Sequence, residues 1–131
     1  MACLIGAMLK IKIKSISNQS LGIWGEIRAG VYFLFHGYKI IAWRYKCKCG
    51  EIDIIATKAN CLVFVEVKYR FKKHNNYPFA IDAVNISKQN KIKKTAQWFL
   101  LKKHKFSEHD IRYDVVTIDS CGFHHYTDAF Q

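Results

Sequence analysis

The sequence predicts an α/β domain built on a mixed β-sheet flanked by helices, in the order helix, three strands, helix, strand. Two observations carry this prediction. Apolar residues recur at helical spacing in two long stretches, and runs of β-branched and aromatic residues bounded by turn-forming residues lie between and after them. The chain has 131 residues, half of them hydrophobic. That suits one domain with one core, and it excludes a disordered tail or a multidomain assembly.

Residues 1–20 begin with the apolar MACLIGAML, which lacks a basic flank and breaks at Lys10, and continue as the basic, polar KIKIKSISNQS. The apolar run is far short of the roughly 20 residues a spanning helix needs. These residues therefore read as a poorly ordered leader ahead of a domain at 21–131, with no membrane segment. From Leu21 to His36, the residues Trp24, Ile27, Val31, Leu34 and Phe35 recur with helical period, and Gly37 supplies the stop. Tyr38 to Tyr45 reads as a strand, Lys46 to Gly50 as the turn out of it, and Glu51 to Thr57 as a second strand.

Lys58, Ala59 and Asn60 form a short connection to CLVFVEVKYR, which predicts an antiparallel hairpin between strands two and three. Phe71 to Tyr77, followed by the single proline Pro78, reads as a loop. A second helix runs from Ser87, a suitable N-cap, to His104, with Ile92, Ala96, Phe99 and Leu100 inward and Lys88, Lys91 and Lys94 on other faces. The helical crossover then brings Arg112 to Asp119 alongside as a parallel strand, and residues 122–127 suit a short edge strand.

Twenty-one basic residues against ten acidic ones give a formal charge of +11. Between Val67 and Ser107 the imbalance is sharpest: Lys68, Arg70, Lys72, Lys73, Lys88, Lys91, Lys93, Lys94, Lys102, Lys103 and Lys105 face a single acid, Asp82. Ordinary soluble surfaces mix signs, so this stretch is a footprint for a polyanion, and nucleic acid is the partner it fits best.

Acids are scarce: the first 81 residues hold only Glu26, Glu51, Asp53 and Glu66. A phosphate-binding surface gains no affinity from carboxylates, so these call for another reason, either a metal or an internal ion pair. Side chains alternate along a strand, which puts Val63, Val65 and Val67 on one face of strand three and Leu62, Phe64, Glu66 and Lys68 on the other. Glu66 and Lys68 are then about 7 Å apart along the strand. In strand two the same alternation places Glu51 and Asp53 opposite Ile52 and Ile54, so the hairpin brings Asp53 and Glu66 to one side of the sheet.

Two carboxylates brought together repel unless one takes up a proton or a cation lies between them. An all-oxygen set suits Mg²⁺ or Mn²⁺ rather than zinc. With Lys68 beside them the parts suit phosphodiester hydrolysis, in which the metal polarises the phosphate and the ammonium orients the nucleophile or offsets negative charge. The plain reading of the same residues is a surface ion pair of Glu66 with Lys68 or Arg70.

The run GEIDIIATKANCLVFVEVKYR, from Gly50 to Arg70, resembles the YraN-type family of uncharacterised bacterial proteins, which is similar to archaeal Holliday-junction resolvases within the PD-(D/E)XK nuclease superfamily. GIWGE at 22–26, GYKII at 37–41 and RYDVV at 112–116 extend the resemblance over roughly residues 21 to 119. It implies a restriction-endonuclease-like fold and a metal-dependent endonuclease acting on DNA, with branched, Holliday-junction-like structures as substrates. It makes Asp53 the motif aspartate, Glu66 the second acid and Lys68 the motif lysine. It adds Glu26 from the first helix as a further acid at the same metal, and the main-chain carbonyl of Val67 as another ligand.

Arg70, Lys72, Lys73, Lys88 and Lys91 are the expected nucleic-acid contacts, the last two on a helix that the resemblance places near the substrate. A homodimer would suit a two-fold branched substrate by analogy with resolvases. A non-catalytic nucleic-acid-binding protein, or a repair or recombination scaffold that keeps the nuclease fold, is the alternative reading. Two departures from the family pattern stand out: Arg44, where an asparagine is usual, and the two thiols of CKC at 47–49.

Other motifs read as structural. The five cysteines are odd in number, and Cys47 and Cys49 have no second pair at zinc spacing, so reduced thiols and a cytoplasmic protein are expected. His124 and His125 point to opposite faces of any strand and read as surface residues. Trp43, Tyr45, Tyr69 and Phe71 suit sheet packing better than base stacking. Asp114 suits a buried partner for a lysine as well as a metal role.

Overall fold

The computed structural model describes residues 18–70 and 84–131. Residues 1–17 and the 71–83 stretch, with Lys72, Lys73, Phe71 and the predicted loop, lie outside the described residues. The elements are α1 (Asn18–Phe35), β1 (Lys39–Cys47), β2 (Gly50–Lys58), β3 (Cys61–Tyr69), α2 (Ile86–Lys102), a 3₁₀ turn (His104–Phe106), β4 (Asp110–Asp119) and β5 (Gly122–Phe130). Helix α1 therefore takes in residues 18–20, which the sequence assigns to the leader.

The five strands form one mixed sheet in the order β1-β2-β3-β4-β5. Strands β1, β2 and β3 are joined antiparallel, β4 runs parallel to β3 from Cys61↔Asp110 to Tyr69↔Ile118, and β5 returns antiparallel at the edge. This is the α/β architecture expected, compatible with a single restriction-endonuclease-like domain, with β5 longer than predicted. The β2–β3 turn is tight because Ala59 takes the left-handed conformation (φ 51°).

The two helices cover opposite faces of the sheet. Under α2, Ile52, Ile55, Leu62, Phe64 and Val115 pack against Ile92, Ala96 and Phe99. Asn85, not Ser87, caps α2, its side chain accepting the Lys88 amide at 2.9 Å. Under α1, Ile54, Ala56, Val63, Val65, Val116 and Ile118 pack against Ala29 and Phe33.

Helix α1 turns an arc of small residues and Phe33 to the sheet, and not the arc that carries its apolar stripe. Gly25, Ala29, Gly30 and Phe33 are buried. The apolar stripe that marks this helix in sequence stands outward, with Trp24 at 63% and Phe35 at 86% exposure and Ile27, Val31 and Leu34 also exposed. The physical reason is close approach. A Cβ on Gly30 would come within 1.8 Å of Trp43, whose ring fills the space between helix and strand. Periodicity finds the helix but does not say which arc docks when the opposite arc is small enough to come nearer.

Among the described residues no helix is long and apolar enough to cross a membrane.

Candidate functional site

Asp53 sits where two strands part. The β2–β3 pairing runs from Lys58↔Cys61 up to Ile54↔Val65 and stops there. One residue further on, the Val67 amide donates to Asp53 Oδ2 at 2.8 Å, so a side chain takes the place of a ladder bond. The strict alternation expected for β2 fails at this point, since Ile52 belongs to the core under α2 while Ile54 belongs to the core under α1. On β1, Arg44 has φ 47°, a conformation costly for a residue with a Cβ. Asp53 is thereby set between the two faces of the sheet rather than on one of them.

Glu66 meets it from β3. The two carboxyl groups are near enough for each charge to act on the other, and Asp53 is pushed up to about 7, by burial first and the adjacent Glu66 charge second, against the Val67 amide, which lowers it. The Glu66 side chain is 5% exposed, so the reading of a surface ion pair does not hold. Its Oε1 forms ion pairs with Lys68 Nζ at 3.2 Å and Lys88 Nζ at 3.5 Å, while its buried Oε2 has no hydrogen-bond partner.

Lys88 differs from the sequence expectation. The helical pattern puts it on a face away from the inward residues, yet it is drawn in against Glu66. A signal was available, because Lys88 stands four residues before Ile92 and eight before Ala96, on the inward row of α2. Gln89 beside it is also buried, its Nε2 donating to the Val84 carbonyl at 2.8 Å.

Glu26 faces the same region from α1 but is not joined to the pair. Its carboxylate is raised by burial and then by the Asp53 charge, and it is held by Arg44 Nε at 3.2 Å. The unusual Arg44 is thus the partner of Glu26. Among the described residues no three His, Cys, Asp or Glu side chains are grouped closely enough to hold a metal. The arrangement is a pair of carboxylates with two ammonium groups, and not the three-acid cluster expected. Glu51 lies outside it, paired across the strands with Lys46 at 3.5 Å.

The pair nonetheless fits a hard divalent cation. Mg²⁺ is commonly held by one or two carboxylates, with water and substrate phosphate completing the shell. Here one carboxyl is raised to about 7 by burial and then by its neighbour's charge, and the other carries an oxygen with no protein partner. A cation would relieve both conditions.

A second buried carboxylate, Asp114 on β4, is arranged differently. It accepts Arg112 Nε at 2.9 Å and an Arg112 terminal nitrogen at 2.8 Å, His125 Nε2 at 2.7 Å and the Asp128 amide at 3.0 Å. Burial alone would raise Asp114; the hydrogen bonds from His125, Arg112 and Asp128 outweigh it and hold the carboxyl below its usual range. Its partner is an arginine, not a lysine. His125 is no surface residue either: Nδ1 is 3.1 Å from the Tyr32 hydroxyl, tying β5 and β4 to α1. His124 is exposed, as expected for the opposite face. Of the aromatics, Tyr45 packs edge-on against Phe99 in the core, while Tyr69 lines an open groove beside Trp24.

Of the expected nucleic-acid contacts, Lys91 is exposed on α2, and Arg70 follows β3 directly with its amide bonded to the Ile118 carbonyl at 2.8 Å.

Comparison with known proteins finds a match over residues 25–118 to a family model described as "Uncharacterised protein family UPF0102". A UPF0102 protein of Clostridium botulinum (strain 657 / Type Ba4) is 42% identical over 101 residues, which is 77% of this chain and 80% of that protein. One from the Loch Maree strain is 41% identical over the same shares. One from Lachnoclostridium phytofermentans is 40% identical over 97 residues, 74% of this chain and 80% of that one.

Proposed function

The chain belongs to the UPF0102 family, a family described as uncharacterised, and from its site we propose that it is a metal-dependent endonuclease-like protein hydrolysing DNA phosphodiesters in the cytoplasm, with branched DNA as the favoured structure. The YraN-type family that the sequence resembles is this same family. One observation carries the reading: half-buried Asp53 lies beside buried Glu66, one carboxyl raised to about 7, the other with an orphan oxygen, next to two lysines.

A bound Mg²⁺ or Mn²⁺ would supply phosphate polarisation and a more acidic water. Asp53 and Glu66 are the side chains to hold it, with the Val67 carbonyl on the same strand as a further oxygen. Lys68 and Lys88 already bracket Glu66, where their charges would offset the negative charge that builds on a phosphate in the transition state. Glu26, held by Arg44, shapes the field at Asp53 from the other helix. The basic residues of α2 and of the segment after β3 supply the attraction for a polyanion.

The test is incubation of the purified chain with linear, flapped and four-way DNAs in Mg²⁺ or Mn²⁺. Cleavage is expected with the wild type and a fall of about a hundredfold or more for Asp53→Ala, which still retains DNA binding. A wild type that binds DNA and cuts none of the panel, or an Asp53→Ala variant that cuts as well as wild type, would overturn the assignment, the former in favour of a non-catalytic DNA-binding protein.

A further inference from the structure

The turn between β1 and β2 carries chemistry that the proposed site does not use. It reads Cys47-Lys48-Cys49-Gly50, with both cysteines half-exposed and both thiols free. The Cys49 amide donates to Cys47 Sγ at 3.3 Å. The neighbouring Gly50 amide, Thr95 hydroxyl and Cys49 thiol add to the pull that favours the ionised sulfur. Gly50 has φ 148°, which an L-residue with a Cβ rarely adopts, so the turn out of Cys49 depends on glycine.

The turn is anchored to α2 rather than dangling in solvent. A Cβ on Gly50 would lie 3.2 Å from Thr95 Oγ1, and Lys48 Nζ sits 4.5 Å from the centre of the Trp98 ring. The Thr95 hydroxyl donates to the Lys91 carbonyl at 2.8 Å, so the Cys49 amide is the firm donor to the sulfur.

The consequence for Cys47 is electrostatic. Burial would push its thiol up, but the donors around it outweigh burial and hold it below the ordinary value, favouring the thiolate. Cys61 is an internal contrast, raised by burial with no such donors.

We propose that Cys47 and Cys49 are a redox-responsive dithiol, in which Cys47 is the sulfur that attacks a peroxide and Cys49 is the thiol that resolves it. The Cys47 sulfur displaces on the O–O bond of the peroxide and takes one oxygen, forming a sulfenic acid, while the other oxygen leaves as water or an alcohol after gaining a proton. Cys49 then attacks the Cys47 sulfur, the S–O bond breaks, water leaves with the Cys49 proton, and a Cys47–Cys49 disulfide remains. The dithiol has lost two electrons, and the peroxide has been reduced by two. A transient disulfide of this kind is the form disulfides usually take in a reducing compartment. The proposal stands apart from the nuclease reading and survives its failure.

The experiment treats the full chain with hydrogen peroxide under native conditions, blocks remaining thiols with an alkylating reagent and maps the peptides by mass spectrometry. A disulfide joining Cys47 and Cys49 is expected first, with Cys61 and Cys121 still alkylated. In Cys49→Ser the reaction should stop at a Cys47 sulfenic acid that dimedone captures; in Cys47→Ser no oxidation of Cys49 should accompany it. Without peroxide, Cys47 should alkylate about tenfold faster than the exposed Cys121 at neutral pH. Cys121 reacting as fast as Cys47, no dimedone adduct in Cys49→Ser, or oxidised Cys47 without a bond to Cys49 in the wild type would each overturn the proposal.

Discussion

Asp114 and the Asp53–Glu66 pair are buried carboxylates on one sheet, and they have settled the cost of burial in opposite ways. Asp114 is fully buried and accepts hydrogen bonds from an arginine, a histidine and a backbone amide, so ionisation is favoured. The Asp53–Glu66 pair shares its space with a like charge, leaves Glu66 Oε2 without a partner, and keeps a proton on Asp53 up to about 7. A carboxylate that the fold has fully partnered holds the fold together. One left short of partners marks where something else is to bind. The same contrast separates Arg112, locked on Asp114, from Lys68 and Lys88, which share one oxygen of Glu66.

The comparison breaks most readily at Asp114. Asp114→Asn leaves Arg112 without its charge partner in a buried network, and a loss of about 3–5 kcal/mol is expected from urea unfolding. A loss below about 1 kcal/mol would mean that the network is not structural. The acid limb follows the same logic. The folded carboxyl is lowered, so its contribution is present above the unfolded value of 3.8 and is lost as pH falls through the folded one; the variant should lack that limb.

Asp53→Asn should act in the other direction. Because the folded value of about 7 exceeds 3.8, the folded state binds the extra proton. Its stabilising effect is full below about pH 4 and is lost as pH rises through 7. At pH 8 the variant should be more stable than wild type by on the order of 1–3 kcal/mol, with a flatter profile between pH 4 and 7. A variant less stable than wild type at pH 8 would show that the Asp53 charge is stabilising as it stands.

Saturating Mn²⁺ should raise wild-type stability by roughly 1–2 kcal/mol and leave the double variant Asp53→Asn, Glu66→Gln unmoved. Calorimetry near pH 6.5 in buffers of different ionisation enthalpy should show proton release on binding, since Asp53 is partly protonated there. Equal shifts in both proteins would place the ion elsewhere. The smallest effect is expected on α1. Trp24→Ser should change stability by no more than about 0.5 kcal/mol despite the size of the side chain, because it stands in water while Ala29 and Phe33 form the contact.

Much of this was legible in the chain. Strand and helix order followed from periodicity, and the hairpin that brings GEID against FVEVK followed from a short connection between two β-branched runs. Asp53, Glu66 and Lys68 stood out because acids are scarce in a basic chain. Lys88, Arg44 and His125 were assigned too little. Each acts through a partner far away in sequence, and a local reading ranks lysine, arginine and histidine as surface residues by default.

By itself the sequence determined the elements, their order and the residue types available for chemistry, because hydrophobic period and turn residues act over a few positions. Only the tertiary structure decided which arc of α1 docks, where the alternation of β2 breaks, and that Glu26 pairs with Arg44 instead of joining Asp53 and Glu66. Those outcomes depend on how closely two backbones can approach and on which charges burial leaves unpaired, and both are properties of the packed chain as a whole.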